Sequence, residues 1–135
     1  MKKDLVIDSD TLLAVFVETD PHHPEVEPLI QKLERGDGLL HISTLVPVEV
    51  CAAVVRKLRN KIGDRAAELF AKWVKKNIED WINTGKLRLY PLDERRMDKA
   101  GAIAIRDKLK GADSAIAEVA LRNYNYRSLL LIRRF

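Results

Sequence analysis

Short apolar segments alternate along this chain with longer segments in which apolar residues recur at helical spacing. Strands are predicted at residues 5–8, 39–42, 87–90 and 129–132. The intervening helices are predicted at residues 12–16, at 25–34, around Glu49, after Gly63-Asp64, at 94–109 and at 113–123. Alternation of this kind predicts an α/β fold, because parallel strands need a crossover connection that is usually a helix.

Length and composition predict one domain over residues 1–135. The 135 residues are 47% hydrophobic, and a chain of this length buries about two-thirds of its unfolded surface. No apolar run approaches the roughly 20 residues that a membrane-spanning helix needs, and the N-terminus does not read as a signal peptide. Cys51 is the one cysteine, so no internal disulfide can form. We therefore expect a cytoplasmic protein without a membrane partner.

Three carboxylates occur where an apolar segment would ordinarily have none. Asp8 ends the first predicted strand, Glu49 interrupts a valine-rich helix, and Asp113 opens a small apolar helix. Taken singly, Asp8 and Asp113 could be helix N-caps, and Glu49 could form a buried ion pair with an arginine. Taken together, they would make an all-oxygen pocket for a hard divalent cation at the carboxyl ends of the strands.

Basic residues follow Glu49 closely. The formal net charge is +4, and Arg56, Lys57 and Arg59 lie within ten residues of Glu49. Such a run is most simply a solvated helix face. Beside an acidic metal pocket the same residues would also bind phosphates, and we take these three residues as candidate contacts to a nucleic acid.

Three motifs carry a resemblance to a known family. They are VIDSDTLL at residues 6–13, STLVPVEV at 43–50 and GADSAIA at 111–117. In this order and separation they resemble the PIN-domain ribonucleases, and within them the toxins of VapBC-type toxin–antitoxin pairs. The resemblance extends over essentially the whole chain.

The resemblance implies a three-layer α/β/α sandwich with a parallel sheet of about five strands. It also implies that Asp8, Glu49 and Asp113 hold Mg²⁺ or Mn²⁺ for the hydrolysis of RNA phosphodiester bonds. Members of the family often form homodimers, and the toxins are neutralised by a small antitoxin that inserts into the active-site groove.

The sequence departs from the family pattern at two positions. Asp10 stands where a small polar residue is usual, and it could join the metal site as an auxiliary carboxylate or cap the helix. Arg134 stands where the last motif of the family has a fourth acid. The missing acid puts a second metal ion in doubt.

Two other functions remain open at this point. A PIN-like domain without the fourth acid could bind RNA or protein without cleaving it. Alternatively, the run Asp8-Ser9-Asp10-Thr11 after an apolar strand resembles the nucleophile motif of haloacid-dehalogenase phosphatases. That chemistry needs a later acidic pair, and none is evident around Asp113.

Overall fold

The computed structural model describes residues 3–36, 38–108, 118 and 130–131. Within them the strands are β1 (Lys3–Ile7), β2 (Gly38–Ser43), β3 (Leu87–Tyr90) and β4 (Leu130–Leu131). The helices are α1 (Ser9–Phe16), α2 (His23–Glu34), α3 (Leu45–Ile62), α4 (Asp64–Asn83) and α5 (Glu94–Asp107).

The strands form a parallel sheet in the order β3-β2-β1-β4. Val6 of β1 lies opposite His41 of β2 on one side and Leu130 of β4 on the other. The buried segment of β1 is continuously apolar, and its Val6 and Ile7 are fully buried. This is the pattern of a strand covered on both faces.

The strand order determines which helices lie on each face of the sheet. The chain moves from β1 to β2 to β3 in one direction across the sheet and then returns to β4. Since such crossovers are right-handed, α1 to α4 lie on one face of the sheet and α5 lies on the other. The protein is therefore a three-layer α/β/α sandwich, as predicted. The described residues contain four of the expected strands.

The main hydrophobic core lies between the sheet and the first four helices. Its fully buried side chains include Leu12 of α1, Val50 and Val54 of α3, and Val74 of α4. Ala100 and Ile103 of α5 are also buried but belong to no part of this cluster, which agrees with a separate layer on the opposite face. Among the described helices, none is long and apolar enough to cross a membrane.

Helices α3 and α4 form an antiparallel hairpin that turns at Gly63. This glycine has a φ of 87°, a backbone conformation that is unfavourable for residues with a Cβ atom. The large apolar residues Leu69 and Trp73 of α4 are 57% and 51% exposed. Ala67 and Ala71 face the core instead, because small side chains allow the two helices to approach closely.

The boundary between β1 and α1 depends on Asp8. Its Oδ1 accepts a hydrogen bond of 2.8 Å from the backbone N–H of Thr11, and its backbone is extended. Asp8 is thus the N-cap of α1, the alternative that the sequence left open. Asp8 is 4% exposed. The hydrogen bond from Thr11 therefore offsets part of the free-energy cost of burying its carboxylate.

We predict that Asp8→Ala lowers the free energy of unfolding by about 1 kcal/mol, since alanine cannot accept the hydrogen bond from Thr11. Asp8→Asn should stay within about 0.5 kcal/mol of the wild type, because asparagine caps helices as well as aspartate does. Urea denaturation of the three proteins measures both values. Equal stability of the alanine variant and the wild type would show that the cap contributes nothing.

Candidate functional site

The carboxyl ends of β1, β2 and β3 lie at one edge of the sheet. Ser43 and Tyr90, the last residues of β2 and β3, are opposite each other in the register. Asp8 follows β1 directly, two residues beyond the pair of Val6 and His41. The structure therefore places Asp8 at the edge where parallel α/β sheets bind their ligands.

A cleft of about 250 Å³ lies next to this edge, between the first turn of α1 and one side of α3. Ser9, the residue after Asp8, is part of its wall. The cleft is lined by Ser9, Asp10, Leu13, Val48, Glu49, Ala52, Ala53 and Arg56. Two helices thus bring two carboxylates and one guanidinium together in a small space.

Glu49 lies on the exposed side of α3. The sequence suggested a glutamate on a largely apolar helix face, and in fact the neighbouring Val46 and Val50 are fully buried while Glu49 is exposed. A buried ion pair with an arginine was the other possibility. Within residues 3–36 and 38–108, no arginine forms a salt bridge with Glu49. Its carboxylate faces the cleft rather than the core.

The structure separates the three basic residues that were predicted to contact RNA. Arg56 follows Glu49 by seven residues, two turns along α3, and lines the cleft. Lys57 and Arg59 are exposed on the same helix, but they do not belong to the cleft wall. Only Arg56 of the three therefore lies beside the carboxylates.

The complete set of predicted metal ligands is not described by the structure. Asp113 lies outside the described residues, as does Arg134. In the part of the chain that is described, no three acidic, histidine or cysteine side chains form a metal-binding group. The grouping of Asp8, Glu49 and Asp113 therefore stays a prediction. The observed grouping is that of Asp10 with Glu49.

Two features of the structure were missed by sequence reasoning. The hydroxyl oxygen of Ser9 is buried and has no hydrogen-bond partner among the described residues. Glu118, five residues after Asp113 in the sequence, is buried and forms a salt bridge of 3.1 Å with Arg96 of α5. Buried acids are usually paired in this way. A partner 22 residues distant could not be identified from local spacing.

Other candidate groups do not support a different chemistry. Burial raises the pKa of the Cys51 thiol, although Lys75 of α4 opposes the increase. The thiol is therefore less readily ionised than usual and is a poor nucleophile at neutral pH. His41 is buried within β2, and its Nδ1 lies 2.6 Å from the hydroxyl of Tyr90. This contact is that of a packing residue within the sheet.

A larger open depression of about 1010 Å³ follows α5, from Asp93 to Ile105. Its lining residues within the described part of the chain all come from this one helix and its N-cap. Because no second described element supplies converging polar groups, it lacks the usual features of an active site among these residues. The smaller cleft between α1 and α3 is the better candidate.

The chemistry of the cleft is that of a site for a cation and a phosphate. Asp10 and Glu49 supply carboxylate oxygens, which are the preferred ligands of hard divalent cations. Arg56 supplies a guanidinium, whose geometry matches a phosphate. A phosphodiester held by Arg56 would therefore lie next to the carboxylates.

Comparisons with known proteins support the fold and identify the family. The solved structure of VapC20 from Mycobacterium tuberculosis, a toxin that cleaves the sarcin–ricin loop, is similar to this chain with a TM-score of 0.58 and 16% sequence identity. The similarity covers 90% of this chain and 82% of VapC20. No curated protein matches the sequence. The sequence model of the PIN domain matches residues 5–124, and the chain therefore belongs to the PIN-domain family.

Proposed function

We propose that this protein is a divalent-metal-dependent endoribonuclease and the toxin of a toxin–antitoxin pair. One observation carries the proposal. In a chain of the PIN family, Asp10, Glu49 and Arg56 line a single cleft next to the strand end that bears Asp8. Family membership also removes the basis for the haloacid-dehalogenase alternative.

The carboxylates fit a hard cation. Asp8, Glu49 and Asp113 would hold Mg²⁺ or Mn²⁺, with Asp10 as an auxiliary ligand on the cleft wall. When bound, such an ion polarises a phosphate oxygen and lowers the pKa of water. The all-oxygen donor set supports Mg²⁺ or Mn²⁺ over metals that prefer nitrogen or sulfur ligands.

The side chains of the cleft have different roles in the proposed reaction. Arg56 binds the non-bridging oxygens of the scissile phosphate and stabilises the negative charge that develops on them. Glu49 or Asp10 accepts the proton of the attacking water, since both are exposed carboxylates on the cleft wall. Leu13, which is buried, and Ala53, which is half-buried, exclude water from one side of the cleft.

The proposed substrate is unpaired RNA. The positive charge of the chain, +4 in total, favours a polyanion, and its attraction is largely independent of sequence. A single-stranded segment or loop can place one phosphate in a cleft of about 250 Å³, whereas a duplex presents a wider surface. The sarcin–ricin loop, which VapC20 cleaves, is likewise a loop.

Two partners follow from this proposal. A small antitoxin protein would inhibit the enzyme by occupying the cleft, and a second copy of the chain would form a homodimer. Both are carried over from the family resemblance. The cytoplasm is the compartment in which such a toxin would meet its RNA.

We predict that Glu49→Gln reduces metal-dependent RNA cleavage by about two orders of magnitude or more, because it removes a cation ligand from the cleft. The change is nearly isosteric at an exposed position, so thermal stability should not change. The assay is cleavage of a mixed RNA pool with Mn²⁺, with Mg²⁺ and with a chelator. Asp113→Asn should have the same effect.

Glu68→Gln is the matched control for this experiment. Glu68 is an exposed glutamate on α4 outside the cleft wall, and its substitution should leave cleavage unchanged. If the folded wild type binds RNA but does not cleave it with either metal, the protein is the binding-only relative, in agreement with Arg134 at the position of the fourth acid.

The basic residues of α3 give a second prediction. Arg56→Gln should reduce kcat/KM for RNA by about tenfold or more, because a charge-assisted hydrogen bond to phosphate is lost. Lys57→Gln should reduce it by less than about twofold, since Lys57 is outside the cleft and screened by salt. Steady-state kinetics at two salt concentrations distinguish the two variants. Equal losses would mean that the cleft does not bind the scissile phosphate.

The antitoxin proposal predicts an inhibitory partner. A small protein encoded beside the gene for this chain should suppress RNA cleavage, with inhibition that saturates at a fixed ratio of the two chains. Titration of the cleavage assay with this protein measures the ratio, and light scattering gives the size of each complex. A stable complex that retains full activity would contradict the proposal.

A further inference from the structure

One wall of the cleft is apolar and open to solvent. Val48 of α3 is 68% exposed, and Ala52, one turn further along, is exposed as well. We call these two residues the apolar shelf. A single exposed valine is ordinary on a protein surface. The shelf is unusual because both of its residues line the same cleft as Asp10, Glu49 and Arg56.

The helical spacing determines what lies next to the shelf. Val48, Ala52 and Arg56 recur every four residues, so they follow one side of α3 at intervals of about 6 Å. Glu49 is adjacent to Val48. The apolar shelf therefore lies beside the carboxylate at one end of the cleft, and Arg56 lies at its other end.

This arrangement matches the parts of a nucleotide. Arg56 complements a phosphate, and the carboxylates complement a cation at that phosphate. The ribose carries hydroxyl groups, so the face of the base is the apolar part of RNA that remains. Base faces are exposed when nucleotides are unpaired and unstacked, and proteins bind such bases by packing side chains against them.

The dimensions also favour a single base over a protein segment. The cleft, about 250 Å³, lies below the range of about 300–1,000 Å³ that is typical of pockets for drug-sized ligands. A helix or strand of a partner protein, including the proposed antitoxin, would cover the cleft and extend well beyond it, whereas a single base would fit within it. The charged groups on the cleft wall complement the phosphate of a nucleotide, whereas an apolar segment of a protein would leave them without a partner group.

We propose that the apolar shelf of Val48 and Ala52 packs against the face of an unpaired nucleobase next to the scissile phosphate. The inference rests on the ribonuclease function proposed above and assigns to this side of the cleft the recognition of single-stranded substrate. Val48 is then a specificity-determining residue, because it contacts the base and leaves the phosphate to Arg56.

The test compares two ligands of equal charge. One is a fluorescently labelled single-stranded RNA, and the other is an oligomer of the same length whose sugars carry no bases. Binding is measured by fluorescence anisotropy with Ca²⁺ in place of Mg²⁺. Val48→Ser should weaken binding of the RNA by about five- to tenfold and change binding of the abasic oligomer by less than about twofold.

Two variants serve as controls. Ile62→Ser changes an aliphatic residue that is 49% exposed at the end of α3, about 21 Å along the helix from Val48, and it should bind both ligands as the wild type does. Arg56→Gln should weaken both ligands equally, because both contain the phosphates. Thermal unfolding checks that each variant is folded.

The possible results separate this inference from the ribonuclease proposal. Unchanged RNA binding by Val48→Ser, or equal losses for both ligands, would overturn the base-packing role. A change in oligomeric state without a change in RNA binding would assign the apolar shelf to a protein interface instead and would also overturn it. Selective loss of RNA binding in a protein that never cleaves RNA would support the apolar shelf and refute the ribonuclease.

Discussion

The pairing of β1 between β2 and β4 is the interaction on which the rest of the structure depends. Val6 and Ile7 are fully buried, so this strand is held by neighbours at both edges and by helices on both faces. A strand with no exposed face must end where a polar residue can reach solvent or a hydrogen bond. It ends at Asp8, whose carboxylate accepts the N–H of Thr11. The position of this carboxylate is therefore set by the burial of the apolar residues before it.

The same burial explains why much of the fold could be predicted from the sequence. A strand that is covered on both faces is a largely apolar run, and β2 was located in this way to within one residue at each end. The predicted bounds of β3 also match, although Arg88 is exposed between its two leucines. The helices were bounded by local signals. Gly63 separates α3 from α4 because its φ of 87° suits glycine, and Asp8 begins α1 because its side chain caps it.

The rotation of each helix about its axis could not be predicted in the same way. Valines occur on several sides of α3, so the sequence did not indicate that Val46 and Val50 would face the core while Val48 faces solvent. On α4, the two buried alanines are less hydrophobic than Leu69 and Trp73, which remain exposed. Small side chains are favoured where two helices approach closely. Which residues lie at such a contact depends on both helices, so it cannot be predicted from the sequence of one helix alone.

The resulting orientation of α3 has a consequence for the electrostatics of the cleft. Glu49 and Arg56 lie on one side of the helix but are seven residues apart, about 10 Å along the axis. Side chains pair readily at three or four residues, not at seven, and within the described residues no salt bridge joins these two. Neither charge is therefore neutralised by the other. For the proposed function, a cation beside Glu49 and a phosphate beside Arg56 would not first have to break an ion pair between these two residues. Each ligand would reinforce the other, because the cation would attract the same phosphate that Arg56 would hold.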